Sequence, residues 1–296
     1  MNAAAPTWSG PAAGRHDRAR TCAEHVGALA ERSLRLEVHT WPKPGLVSHV
    51  DAGSHTDMDA ATFHRSAAAL RPFFTELAAA GMQDQDMTAL RKIGLRAECA
   101  MTAATGGVNT HRGAIFGLGL LCAAAGLRAR RGMEGGNLQS LGDTVSRRWG
   151  PAILAGPRPS DSHGEAMKRR YGAGGARQEA ALGFPSVYGI GMPALRHAAR
   201  VAPCDAQAAR VQACFALIAE LEDTNLLHRG GAAGLRFAQQ SARAFLAAGG
   251  VGQPGWRRAA EKIHHAFVAR WLSPGGAADL LAMSLFAMAI EQEPAP

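Results

Sequence analysis

Strand-forming residues are scarce in this chain: 296 residues hold eleven Val, seven Ile and two Tyr, and aromatic residues make up only 6%. β-Branched and aromatic side chains pack best on a pleated surface, so their shortage argues against a sheet protein. It also argues against a surface on which nucleic-acid bases would stack. Cysteine is limited to Cys22, Cys99, Cys122, Cys204 and Cys214, odd in number and widely scattered. That pattern excludes a disulfide framework and any zinc-type Cys/His spacing, and fits reduced thiols in the cytoplasm. No apolar signal core opens the chain, and the near-continuous apolar run from Ile115 to Ala125 is too short to span a bilayer. No G-x-x-x-x-G-K-[ST] phosphate loop occurs. Gly189 to Ala194 mimics a dinucleotide fingerprint, but no strand pattern precedes it and Pro193 sits inside it.

What the chain has in abundance is Ala and Leu at helical spacing, a basic balance and glycine-bearing loops. Lys and Arg outnumber Asp and Glu by 32 to 24, a formal net charge of +8. That charge suits a polyanionic partner, nucleic acid or phosphorylated metabolite alike. Residues 1–15, rich in Ala, Gly and Pro, read as a disordered lead-in. Residues 16–296 read as a single all-α domain, a bundle of about ten helices with no internal repeat and no convincing linker. One helix should carry Cys22, Val26, Leu29, Ser33 and Leu36 and stop at Pro42. A second should open on a Thr56/Asp59 capping box and be kinked by Pro72. Leu138, Leu141, Val145 and Trp149 suggest a short helix, followed by a surface loop over 151–159. Later faces are Val211/Cys214/Ile218, Leu235/Ala238/Ala242/Phe245, Trp256/Ala260/Ile263/Phe267 and Leu281/Ser284/Leu285/Met288. Arg128 to Arg131 reads as a solvated turn, and His264–His265 as a surface pair.

The stretch Gly106-Gly107-Val108-Asn109-Thr110-His111-Arg112-Gly113 is the point around which the rest is organised. A helix carrying Leu90, Ile93, Ala97, Met101 and Ala104 should run into the glycine pair, which can adopt the left-handed turn that closes it. Asn109 or Thr110 can cap the buried helix that follows, and Gly113 and Gly117 let another backbone approach that helix. Free amides, a His and an Arg are thereby gathered at one helix N-terminus, an anion site in kind. The same format recurs at 42–57, at 174–179, at 223–231 and at 273–279. Each loop alone is a helix cap. Several together describe a bundle whose loops converge on a ligand with many phosphates, with carboxylates for a Mg²⁺ ion that bridges phosphate oxygens.

At these loops the chain resembles the triphosphoribosyl-dephospho-CoA synthase family, over about residues 22–288. The matching runs are Pro-Lys-Pro-Gly-Leu-Val (42–47), Gly-Ser-His-Thr-Asp-Met (53–58) and Glu98 leading to Gly-Val-Asn-Thr-His-Arg-Gly (107–113). They continue with Gly-Ala-Arg-Gln-Glu-Ala (175–180), Asp-Thr-Asn (223–225) with Arg-Gly-Gly (229–231), and Ser-Pro-Gly-Gly-Ala-Ala-Asp-Leu-Leu (273–281). The resemblance implies that the 2′-hydroxyl of 3′-dephospho-CoA attacks C1′ of the ATP ribose, and adenine leaves with the triphosphate intact. The product is the prosthetic-group precursor for the acyl carrier protein of malonate decarboxylase or citrate lyase, with malonate decarboxylase preferred, and it would pass to a holo-acyl-carrier-protein synthase.

The resemblance also implies site roles. Lys43, Arg112, Arg177 and Arg229 would hold phosphates, and His55, Asn109, Thr110, His111, Glu179 and Asn225 would contact substrate. Glu98 or Asp223 would take the hydroxyl proton, Asp57 and Asp223 would bind Mg²⁺, and His55 or His111 would donate to adenine. Neither a nucleic acid nor a membrane is expected as a partner, and monomer and homodimer both stay open. Two alternatives remain at this point: a basic helical nucleic-acid-binding module without catalysis, and a hydrolase that releases the base to water.

Overall fold

Helices form almost everywhere the apolar spacing places them. The computed structural model describes residues 11–133, 139–157 and 174–292. They build eleven α-helices: α1 (Pro11–Val38), α2 (Ala60–Met82), α3 (Met87–Thr105), α4 (Arg112–Met133), α5 (Leu141–Ala155), α6 (Gly175–Ala181), α7 (Met192–Val201), α8 (Ala206–Glu220), α9 (Thr224–Ala247), α10 (Trp256–Val268) and α11 (Gly275–Gln292). Among the described residues there is no strand. A π-helical turn over Val187–Gly191 leads into α7, and Gly231, with φ of 58°, breaks α9 into two segments. Residues 1–10 of the expected lead-in lie outside the described residues; 11–15 belong to the start of α1.

The centre of the bundle is α4. Every residue from Leu118 to Leu127 except Gly119 and Gly126 appears in the core, each at most 4% exposed, and helices α1, α2, α5 and α11 pack around it. The helix is longer than the apolar run that marks it: residues 112–132 are long and apolar enough to cross a membrane by length and composition. Here that stretch is a core helix, wrapped by its neighbours. It crosses α2 at near-touching distance. A Cβ on Gly81 would lie 1.9 Å from the Ala123 carbonyl oxygen, and one on Gly126 would lie 1.9 Å from that of Ala78. Gly113 and Gly117, expected to admit a backbone, instead admit side chains of α11. A Cβ there would meet Asp279 Oδ2 at 2.0 Å and Met283 Cε at 2.2 Å.

Several local expectations shift for identifiable reasons. The cap of α2 is Asp59, not Thr56: its Oδ1 accepts from the Thr62 amide at 2.8 Å and from the Thr62 hydroxyl at 2.7 Å. The helix then runs through Pro72, whose exposed position leaves the unmatched carbonyl on the solvent side. Helix α5 likewise continues through Pro151 to Ala155, where a loop was expected. Arg128 and Arg130 are part-buried on α4 and reach Glu291 at 3.9 Å and Asp84 at 3.4 Å, so they are not a solvated turn. His264 is only 1% exposed and lies 2.6 Å from the Lys43 carbonyl and 3.1 Å from Asp51 Oδ2; of the expected surface pair only His265 faces out. All five cysteines are free thiols.

Candidate active site

Helix α3 ends as its glycine pair dictates: Gly106 caps it at φ 68° and returns its amide to the Thr102 carbonyl. Asn109 Oδ1 then takes the Arg112 amide at 3.2 Å, and α4 begins. Four further loops meet the same place. Residues 42–56 are stitched to the C-terminal third of the chain: Ser54 Oγ donates to the Leu272 carbonyl at 2.7 Å, and His55 Nε2 lies 2.9 Å from Ser273 Oγ. Arg229 Nη1 closes the seam by donating to the carbonyls of Ser54 at 2.9 Å and Trp271 at 3.1 Å. The loops enclose a cleft of about 1610 Å³. That exceeds the ~300–1,000 Å³ of most small-ligand pockets and leaves room for two nucleotide-sized molecules.

Glu98, Asp223, His55, Asp57, Asn109, Thr110, His111, Arg112, Arg177, Glu179, Asn225 and Arg229 all line this cleft. Lys43 does not. It is wholly buried beneath the lining and ion-paired with Glu37 of α1, which corrects its expected role as a phosphate contact. A buried ammonium needs a partner, and Glu37 supplies it from within the fold.

The remaining cations differ in what they already hold. Arg112 is more than half exposed at the rim and pairs with Glu98 at 3.2 Å. Such an exposed pair is weak and can be traded for a phosphate. Arg177 spends its guanidinium on the end of α5, donating to the carbonyls of Pro157 at 2.6 Å, Gly156 at 2.9 Å and Leu154 at 3.1 Å, and to that of Ile153. It caps a helix whose last carbonyls would otherwise lack donors. Arg229 joins loops, and its Nη2 also lies 3.2 Å from His55 Nδ1.

The two candidate histidines separate clearly. Both nitrogens of His55 are engaged, by Ser273 and Arg229, and burial followed by the Arg229 charge pulls its pKa down. His111 is 3% exposed. Its Nδ1 is 2.7 Å from Ser66 Oγ, which accepts from Thr110 Oγ1 at 2.8 Å. Ser66 has one proton and two lone pairs; with its proton on His111 Nδ1, the ring proton sits on Nε2. That Nε2 is buried and has no partner in the protein, although the residue lines the cleft. Burial, then the charges of Lys43 and His64, lower the His111 pKa to about 3, so the ring is neutral.

The carboxylates divide in the same way. Asp223 is 1% exposed and caps α9. Its Oδ1 accepts from the amides of Asn225 at 2.8 Å and Leu226 at 3.3 Å, and its Oδ2 from that of Ala277 at 3.0 Å, with the Gly276 amide close by. A carboxylate has about four lone-pair sites, and three are taken here. Glu179 Oε1 accepts from the Ser186 amide at 2.7 Å and its Oε2 from the Ser186 hydroxyl at 3.2 Å, while burial raises its pKa. Asp57 is 60% exposed, with His55 3.7 Å away. Sequence reasoning passed over two carboxylates that matter here. Glu37, one acid among several on a long helix, carries no motif of its own. Asp279 was noticed only as the end of the fifth glycine loop; its partner, Gly113, lies 166 positions away, where no spacing rule reaches.

A fit for Mg²⁺ can be judged from the donors. Among the described residues no three His, Cys, Asp or Glu side chains gather in a way that would hold a metal ion, and the oxygens of Asp223 face amides. The chain therefore builds no resident metal cage from the expected pair Asp57 and Asp223.

Comparison with known proteins gives the family. A family model described as ATP:dephospho-CoA triphosphoribosyl transferase matches residues 23–295. The chain belongs to this family. Curated relatives carry the name probable 2-(5″-triphosphoribosyl)-3′-dephosphocoenzyme-A synthase. That of Azotobacter vinelandii is 41% identical over 275 residues, 89% of this chain and 90% of the relative. That of Pseudomonas fluorescens is 42% identical over 281 residues, covering 92% and 94%. That of Acinetobacter calcoaceticus is 39% identical over 273 residues, covering 92% of each. No solved structure matches the chain. In this transferase family the converging loops acquire a reaction to serve.

Proposed function

We propose that this chain transfers the triphosphoribosyl group of ATP to the 2′-hydroxyl of 3′-dephospho-CoA and releases adenine. The observation that carries the reading is the single cleft: every candidate residue except Lys43 lines it, and it is large enough for both nucleotides. Two polyanions must be brought together against their repulsion. Arg112 and Arg229 on the rim supply positive potential for that. Arg177 positions the α5–α6 side of the cleft through the carbonyls it holds. Exposed Asp57 would contact a Mg²⁺ ion carried in on the ATP phosphates, whose charge that ion would offset. His111 Nε2–H donates a hydrogen bond to substrate as a neutral group, since giving up that proton would leave an imidazolate. Asp223 acts as a clamp between the start of α9 and the start of α11. The product is a prosthetic-group precursor for an acyl carrier protein, preferably that of malonate decarboxylase, and is handed on in the cytoplasm to a holo-acyl-carrier-protein synthase.

The test is incubation with ATP, Mg²⁺ and 3′-dephospho-CoA, followed by mass spectrometry. The expected outcome is one adenine released per adduct formed, the adduct being dephospho-CoA plus a triphosphoribosyl group. Adenine released equally without dephospho-CoA would favour the base-releasing hydrolase. No adenine, with duplex binding that falls steeply with salt, would favour the nucleic-acid module.

A further inference from the structure

Eight carboxylates line the cleft: Glu37, Asp57, Glu98, Glu179, Glu220, Glu222, Asp223 and Asp279. All but one are either matched or in open solvent. Glu37 holds Lys43, Glu98 holds Arg112, Glu179 holds Ser186, and Asp223 holds three amides. Glu220 reaches Arg243 at 3.3 Å, and Asp57 and Glu222 are exposed. Asp279 is the exception. It is the fifth residue of α11 and presses its Oδ2 against the α-carbon of Gly113, so closely that a Cβ there would lie 2.0 Å away. The Ala114 amide, in the first turn of α4, acts on it and holds its pKa down in part. The rest of its hydrogen-bonding capacity is open to the cleft. Two residues before Gly113, the buried and unpartnered His111 Nε2 lines the same cleft. An unmatched acceptor and an unmatched donor at the head of one helix mark where a ligand's polar atoms belong.

We infer that Asp279 is the general base that takes the proton from the attacking hydroxyl of the acceptor. The inference rests on the transfer reaction proposed above. The acceptor oxygen's lone pair forms the bond to C1′ of the ATP ribose as the C1′–N9 bond breaks, and that electron pair leaves with adenine. The hydroxyl proton passes to the Asp279 carboxylate and from there to water, while adenine takes one proton from water. The groups acting on Asp279 are Glu37 of α1, Asp223 before α9 and the Ala114 amide of α4, with the buried Cys214 thiol of α8 near Glu37, its partner Lys43 and Asp223. Burial, then Glu37 and Asp223, raise the Asp279 pKa well above the ordinary carboxyl value, which makes it the stronger proton acceptor once ionised.

The experiment compares wild type, Asp279→Asn and Gly113→Ala by adenine release across pH, with thermal melts and ATP binding as controls. Asn keeps the shape and removes the charge. In Gly113→Ala the new methyl displaces the carboxyl with no backbone strain, so it stands in if Asp279→Asn fails to fold. The expected result is a kcat roughly a hundredfold or more lower in each, the lower range for a missing general base, with ATP binding retained. Wild-type kcat should fall on the acid side along a limb that is displaced upward from ordinary carboxyls and absent in Asp279→Asn. Near-wild-type kcat in the folded variants, or an intact acid limb in Asp279→Asn, overturns the inference. So does a basic limb that Asp279→Asn removes, which would make Asp279 an acid. A wild type that releases no adenine with dephospho-CoA overturns the reaction itself, a separate failure visible before any variant is made.

Discussion

A carboxylate held by several amides and a carboxylate held by few respond differently to an amide side chain in their place, although burial raises the pKa of both. Asp223 is the first kind. Its Asn variant would turn an NH₂ towards the buried amides of Gly276 and Ala277 or of Asn225 and Leu226, leaving donors facing a donor. Each unsatisfied buried group costs about 1–3 kcal/mol. Asp223→Asn should therefore lower the stability measured by urea denaturation by at least that amount, whereas a simple surface cap would tolerate it. A midpoint unchanged from wild type would show that the clamp is not made. Asp279 is the second kind, and its stability effect has the other sign. Its folded-state pKa lies well above the unfolded value of about 3.9. Between those two values the folded chain binds the extra proton, so stability falls as pH rises through that window. Asp279→Asn carries no such penalty. It should be more stable than wild type above the window, with the advantage shrinking as pH is lowered; parallel pH–stability curves would contradict this.

Among the elements, the crossing of α2 and α4 sets how the bundle can be altered. Two glycines of helical conformation illustrate it. Gly126 faces the Ala78 carbonyl at a distance no Cβ could share, while Gly94 of α3 has nothing within 4 Å of that position. Alanine favours a helix over glycine by about 1 kcal/mol, but forcing packed helices apart typically costs about 1–3 kcal/mol. Gly94→Ala should raise the denaturation midpoint and Gly126→Ala should lower it. Equal shifts of one sign in both would mean that the helices are not in backbone contact. The helices themselves were legible because alanine-rich faces repeat every 3.6 residues, and the left-handed glycine after α3 could be read from its position alone. Pro151 misled because it sits on an exposed face of a helix whose other side is buried, and tertiary packing outweighs the lost backbone bond.

Over the whole molecule, the sequence disclosed the membership of the cleft better than the work each member does. Runs rich in glycine and charge announce loops, and loops converge, so Arg112, Asn109, Glu98 and Arg229 all arrived where expected. Burial and pairing are properties of distance between remote segments. Lys43 could not declare Glu37 as its partner, Arg177 could not declare the carbonyls of α5, and Asp279 could not declare Gly113. The seam that Arg229 closes joins Ser54 to Trp271, more than two hundred positions apart. During synthesis, that seam stays open until Trp271 has emerged, so a chain that ends before it lacks one wall of the cleft together with Asp279.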